Sequence, residues 1–547
     1  RLPVHSKNPI LILINFFIIS FIIFFYKINV VHARSRAPAW SCYLATKVTK
    51  AKFFTTFHGT YNFRNNLKKF YNSVMVRSDV IIAGSNFIFS HIKKNYSNSE
   101  IENLGAKFYE QFNNSKIITT NIGKNLSDII GYYQREMKPS WREFFSRKDL
   151  SDDELIDDRE CIGNMKLTSI FQDKKSYVYK YIFPEQEYKL KEKKRAIIAN
   201  NTDPDRADYA GTIQELDQIK RTIILRKGIS KDQKKLPKIL SIGEGLMNHD
   251  RFENLNNNIY KFCDNILDNK DGYDAIKSFL NKDIPKIKGL KQGDKIIKSE
   301  NFEEEIPKII LNLQDSYIFL QGPAGTGKTF QSGNAIVEIL KKNKRVAITG
   351  NSHKVIHNVL EKVEKLATEQ NFSFKGLYMG NPDDDEKFYD GKLITTVKEK
   401  EQFINALKEN KINLFAGTKF HLAQWYYHNK IDYLFVDEAS QISVADLVAL
   451  GGVAKNIILV GDQQQLGQPT KGNHPNESGK SVLEYLLDGK DTISNEKGIF
   501  LTTTFRLHPN INDYTSENFY DGRLVPHTKN QNRKIEYKKE SIIKSEG

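Results

Sequence analysis

Four short stretches in the back half of the chain hold residue types suited to gripping and cleaving a nucleoside triphosphate. They are QGPAGTGKT (321–329), LFVDEASQ (434–441), LVGDQQQLGQP (459–469) and FRLHPN (505–510). The first fits the phosphate-loop pattern G-x-x-x-x-G-K-[ST] through Gly322, Gly327, Lys328 and Thr329. An apolar run, SYIFLQ, precedes it and a helix-compatible run, FQSGNAIVEILKK, follows, which is the strand–loop–helix setting that the pattern needs. Gly322, Pro323, Ala324, Gly325, Thr326 and Gly327 supply a loop whose backbone N–H groups turn inward around phosphates, where the following helix adds its positive dipole end. Lys328 reaches the β- and γ-phosphates, and the Thr329 hydroxyl is a ligand for Mg²⁺.

The second stretch supplies the other half of such a site. IDYLFV reads as a buried strand ending in two adjacent carboxylates. Asp437 at the strand end is placed to hold Mg²⁺ through water, and Glu438 to polarise the attacking water. A DE pair after a strand is ordinarily a solvated turn. Here it follows a phosphate loop and precedes another strand, NIILVGD, ending in Asp462. Gln465 and Arg506 are candidate γ-phosphate sensors, because each offers hydrogen-bond donors without a pKa shift. Strands alternating with helical runs imply an α/β fold with a parallel sheet.

Together these stretches resemble superfamily 1 helicases, in the branch that holds the nonsense-mediated decay helicase and the nuclease–helicases of DNA replication. The wording is closer still to bacterial proteins joining a RecB-like nuclease to such a helicase. VDEASQISVADLVALGGVAKNIILVGDQQQLGQP, NHPNESGKSVLEYLL and GIFLTTTFRLHPNINDYTSENFYDGRL carry the likeness. With YYQREMKPSWREFFSRKDLSDDELIDD and AGTIQELD it covers roughly 118–547. The resemblance implies ATP with Mg²⁺ and a RecA-like domain behind a small β-barrel and stalk. It also implies a nucleic-acid partner, DNA before RNA. Thr349, Ser352, His353 and Lys354 in RVAITGNSHK, and Gly417 and Thr418 in LFAGTKF, match the family's backbone-contact motifs. Small polar groups and N–H groups at strand ends suit phosphates without reading sequence. SHK also reads simply as a helix N-cap and first turn. The later motifs of a second RecA-like domain are absent, which implies poor hydrolysis by the chain as written. Scattered acids (Asp205, Glu215, Asp217, near Lys220) are a weak nuclease signal, since acids in mixed-charge stretches usually face solvent.

The front of the chain follows another pattern. KINVVHARS, AKFFTTFHG and DVIIAGS are strand-like, and APAWSCYLATKVTK, NNLKKFYNSVMVRS and NFIFSHIKKNY are helical. This region resembles the acceptor-side, Rossmann-like domain of family 4 glycosyltransferases of the GT-B fold. By that likeness His58 in TFHGTYN matches the active-site histidine; a strand-end histidine with a structural hydrogen bond is the other reading. A glycosyltransferase fragment fused to a helicase-like module is thus the alternative function. The run 9–26, PILILINFFIISFIIFFY, is at the lower limit for a membrane span, and a helix buried against the sheet is favoured over one.

With 82 Lys and Arg against 66 Asp and Glu, the net charge of +16 fits a nucleic-acid partner, although richness in Lys, Asn and Ile accounts for part of it. Cys42, Cys161 and Cys263 lie far apart and form no disulfide or metal pattern, as in a cytoplasmic protein. No stable protein partner is expected. The expected organisation is a partial glycosyltransferase-like module (1–97), a joining helical stretch (98–158) and a β-barrel and stalk (159–300). A RecA-like ATPase domain (301–495) and the start of a second one (496–547) follow. Beginning with Arg and ending inside a domain, the chain reads as a fragment or a gene fusion.

Overall fold

The computed structural model describes residues 9–57, 66–83, 121–201, 209–229, 235–244, 250–299, 301–409 and 411–533. They fall into two compact units, Arg1–Lys124 and Asn125–Gly547.

The front unit is a three-stranded parallel sheet of Val30–Ala33, Lys52–Phe57 and Val80–Ala83, in that order. Its core gathers Ala33, Ala39, Phe53, Phe57, Met75 and Ile81. The helix Pro9–Phe25 packs on the neighbouring helix Arg36–Thr49, where the Ser41 hydroxyl donates to the Ile12 carbonyl (3.0 Å). It is not buried all round: Ile23 is covered, but Ile10, Phe17, Phe21 and Phe24 are exposed. Apart from Asn15 and Ser20 the run is apolar, so it has no strong periodicity from which the packed face could be read. Among the described residues no helix is long and apolar enough to cross a membrane. His58 lies outside the described residues.

The second unit begins within the helix Asn121–Ile129, followed by the helix Tyr132–Lys148 and a closed six-stranded barrel. Every described pairing in the barrel is antiparallel, and bulges at Ile162/Met165, Leu167/Ser169, Ala196/Ile197 and Ile213/Glu215 bend its strands toward closure. Inward residues such as Met165, Tyr181, Ile213, Leu225 and Ile242 fill it. Glu215 and Asp217 stand on a barrel strand, and Asp217 pairs with Lys220 (3.2 Å) across an exposed turn; Asp205 lies outside the described residues.

The larger part is an eight-stranded parallel sheet. From edge to edge it runs Ile394–Val397, Gly376–Met379, Leu414–Ala416, Val346–Thr349, Ile431–Val436, Ala454–Gly461, Tyr317–Gln321 and Gly498–Phe500. Alternate residues of the inner strands (Ile318 and Leu320, Val346 and Ile348, Tyr433 and Phe435, Ile458 and Val460) form one face. They share a core with Ile310, Ile336, Leu340, Val359 and Val363 from three helices. Phe319, Ala347, Leu434 and Leu459 on the other face are buried too. Burial on both faces explains why these strands read as continuous apolar runs. Gly498–Phe500, placed by sequence at the start of a second domain, is instead the edge strand beside Tyr317–Gln321, because its short apolar run completes this sheet.

One buried carboxylate ties the pieces before and within the sheet together. Asp446, in the helix Val444–Leu450, accepts from the Tyr133 hydroxyl (2.7 Å) and from Lys419 Nζ (2.6 Å), and it closes a capping box with Ser443. Removing one partner of a buried ion pair strands the other. Asp446→Ala should therefore cost about 3–5 kcal/mol, read as a lower urea midpoint for the second unit.

Candidate nucleotide-binding site

Strand register brings the sequence motifs to one edge. Gln321 pairs with Gly461, Val436 with Leu459, and Thr349 with Val436, so the carboxyl ends of four parallel strands lie level. In open parallel sheets this is the edge where ligands bind. Gly322 leaves the first strand with its N–H donating to the Gly461 carbonyl (3.0 Å). The loop then turns through Gly325 and Gly327, at φ +79° and +84°, into the helix Lys328–Lys341. These left-handed conformations are why glycine stands at both positions. The Thr326 hydroxyl donates to the Pro323 carbonyl (2.8 Å), and Lys328 Nζ donates to the Gly322 carbonyl (2.7 Å), folding the lysine over the loop.

Facing this loop are Asp437 and Glu438. The Asp437 N–H donates to the Thr349 carbonyl (3.0 Å). The residue is 6% exposed, and burial, reinforced by the adjacent Glu438 charge, pushes its pKa up to about 7; Lys328 pulls the other way. Asp437 Oδ1 and Glu438 Oε2 are buried without a hydrogen-bond partner. Buried polar atoms are normally satisfied, so two orphaned carboxylate oxygens beside a phosphate loop fit a divalent cation and its water. Glu438 occupies the left-handed region (φ 49°, ψ 48°), a conformation that costs a non-glycine residue of order 1–3 kcal/mol and is typical of functional positions.

The third and fourth stretches close the arrangement. Asp462 is buried and its pKa is raised by that burial, while it accepts from the Tyr520 hydroxyl (2.9 Å), the Gln464 N–H (3.2 Å) and Gln465 Nε2 (3.3 Å). Gln465, a candidate sensor, is thus held on Asp462. The Phe505 N–H donates to the Gly325 carbonyl (2.9 Å), and the Thr504 hydroxyl to that of Ala324 (3.0 Å). A Cβ on Gly325 would collide with Cβ of Arg506, so that glycine also admits the fourth motif beside the loop. Arg506 itself has an exposed side chain.

The remaining candidates flank this edge. Thr349 ends its strand with a buried hydroxyl lacking a partner. Ser352 caps the helix His353–Glu369 by accepting from the Val355 N–H (3.3 Å), His353 bonds the Tyr378 hydroxyl, and Lys354 is exposed. The N-cap reading of SHK therefore holds for Ser352. The Gly417 N–H donates to the Ile348 carbonyl (3.1 Å), and Thr418 precedes the short helix Lys419–Leu422. Sequence reasoning missed Tyr520, which bonds Asp462, and Gln321, which bridges Gln463 Oε1 (2.7 Å), the Asp491 carbonyl (2.8 Å) and the Ile493 N–H (2.6 Å). No local pattern marks residues whose partners lie so far along the chain.

A parallel sheet with a glycine loop at one strand end and paired acids at another defines a phosphate-loop nucleotide-binding domain. Comparison with known proteins agrees: residues 304–477 match the AAA domain family, and residues 1–102 match Glycosyltransferase Family 4. The chain is 27% identical over 234 residues to the DNA replication ATP-dependent helicase/nuclease dna2 of Schizosaccharomyces pombe, covering 39% of this chain and 15% of that one. It is 24% identical over 296 residues to the ATP-dependent helicase upf1 of the same yeast, covering 46% of this chain and 30% of the relative. The chain thus spans less than a third of either. A glycosyltransferase crystal structure from Rickettsia africae ESF-5 is 56% identical over 17% of this chain and 24% of that one, with a TM-score of 0.15. The two resemblances read from sequence, helicase behind and glycosyltransferase in front, both hold.

The raised acids set a pH dependence. In the unfolded chain Asp437 loses its proton near its ordinary value of 3.8; in the folded chain it keeps it to about 7. Stability from this group is therefore full below pH 4 and lost as pH rises to about 7. In buffer free of divalent cations, the denaturant midpoint should fall across this window, and Asp437→Asn should flatten the fall.

Proposed function

We propose that the second unit is the ATP-binding and ATP-hydrolysing part of a superfamily 1 helicase or translocase acting on nucleic acid, DNA in preference to RNA. The observation that carries this reading is the pair of buried, partnerless carboxylate oxygens of Asp437 and Glu438 facing a phosphate loop. Backbone N–H groups of Ala324 to Thr329 orient the phosphates, and Lys328 leaves the Gly322 carbonyl to neutralise them. Thr329 and Asp437 would hold Mg²⁺, whose role is to offset phosphate charge. Glu438 accepts a hydrogen bond from the attacking water and polarises it. Gln465 and Arg506 place donors toward the γ-phosphate, so that its loss is felt by the third and fourth motifs.

Thr349, Ser352, His353, Lys354, Gly417 and Thr418 form the proposed backbone contacts at neighbouring strand ends. The preference for DNA rests on relatives named for DNA replication. Three buried free cysteines suit a reducing, cytoplasmic setting. The match of residues 1–102 supports a second, separate reading for the front unit as an acceptor-side glycosyltransferase domain, with His58 as its active-site histidine.

Titration with a fluorescent ATP analogue tests the nucleotide site. Lys328→Ala should weaken Mg·ATP binding by about 2–5 kcal/mol, as loss of a desolvated charge partner does. Equal affinities would remove the assignment. Glu438→Gln should leave affinity nearly unchanged while lowering turnover by about 10²–10⁴-fold, measured as phosphate release; undiminished release would shift the water-polarising role elsewhere.

A further inference from the structure

Beside the motif loops of the second unit lies a cleft of about 390 Å³ that the nucleotide site does not use. This is the size of a small-ligand pocket, which runs roughly 300–1,000 Å³. One wall is the helix Tyr132–Lys148, on which Tyr133, Met137 and Trp141 recur every fourth residue and share a face. Phe252 continues that wall, tilted on Tyr133 (5.2 Å between centroids), and meets Phe420 edge to face (5.6 Å). Trp141, Phe252 and Phe420 are each half-buried, so aromatic surface remains open within the cleft.

The opposite side is polar and built from the motif loops. Asn351, which immediately precedes Ser352, hydrogen-bonds Gln441 at the end of the DEASQ stretch. Gln468 donates to the Tyr132 hydroxyl (2.5 Å), yet its buried Oε1 has no hydrogen-bond partner. Glu136 fixes this side in place. Its carboxylate accepts from the N–H groups of Lys471 (3.2 Å) and Gly472 (3.0 Å) and pairs with His474 (2.6 Å), whose ring stacks on Tyr132 (4.2 Å). The exposed Lys471 adds positive charge at the rim.

We propose that this cleft takes one unstacked nucleobase of a strand lying over the motif loops. The inference rests on the nucleic-acid reading above and adds to it a base-binding site. Aromatic faces serve a planar base of any identity, and Lys471 meets the adjoining phosphate. A strand held only by phosphates slips freely; one seated base gives the path a fixed register.

The test is fluorescence anisotropy of the full chain with short labelled oligothymidylates in which a single abasic site is moved along the strand. All these probes carry the same phosphates. For the unaltered protein, one position should weaken binding about 5- to 150-fold, the range of one base–aromatic stack. Trp141→Ala, and Phe420→Leu as a variant that keeps apolar volume, should make the scan flat, whereas Trp141→Phe should retain the position effect. The slope of log affinity against log salt should not change in any variant, since phosphate contacts remain. A flat scan for the unaltered protein, with salt-dependent binding intact, overturns the base site but leaves the nucleic-acid reading standing. No binding to any oligonucleotide overturns both.

Discussion

The second unit is organised around a desolvated negative charge. Asp437 and Glu438 are adjacent, largely shielded from water and short of hydrogen-bond partners, with Lys328 as the cation that counters Asp437. Such a cluster is unfavourable in the folded chain alone, because burial penalises the charged carboxyl. It persists because the surrounding sheet over-determines it. Asp437 is held by its backbone to Thr349, and its strand is paired on both sides over most of its length. Strain of this kind is relieved by a ligand that brings the missing positive charge, which couples occupancy of the site to its stability.

The same economy shapes the contacts around the phosphate loop. Glycine at position 325 does two tasks at once: it takes a left-handed turn, and it leaves room for the backbone beside Arg506. The fourth motif is therefore joined to the loop through main-chain hydrogen bonds from Phe505 and a hydroxyl from Thr504. Through Asp462, Tyr520 and Gln465 the third motif reaches the same region. The third and fourth stretches, far along the chain from the phosphate loop, are thus both fastened beside it.

Outside the nucleotide site, the helix Tyr132–Lys148 has a structural role out of proportion to its length. It is bound to Asp446 through Tyr133, and to the loop after the third motif through Glu136, Tyr132 and their partners His474 and Gln468. The chain before the barrel is in this way fastened to the motif loops of the sheet. Its likeness to the region ahead of a helicase core was readable as a resemblance; the fastening was not, because it joins residues more than three hundred positions apart.

Much of this protein was determined by sequence alone where the physics is local. The glycine spacing of the phosphate loop, the continuous apolar strands before Gly322 and Asp437, and the Ser–x–x–acid caps at Ser443 and Ser481 follow from backbone sterics and short-range hydrogen bonds. Periodicity also placed the three strands of the front unit. What only tertiary structure decided depends on long-range pairing. The helix Pro9–Phe25 is apolar apart from Asn15 and Ser20, so which face is covered depended on the neighbour it met. Gly498–Phe500 joined the edge of the eight-stranded sheet because a short apolar run pairs with whatever edge is open to it. The orphaned oxygens of Asp437 and Glu438, the hold of Tyr520 on Asp462, and the aromatic cleft beside Trp141 likewise exist only once distant strands are in register. Burial and charge act through space, and a linear pattern records only the spacing of neighbours.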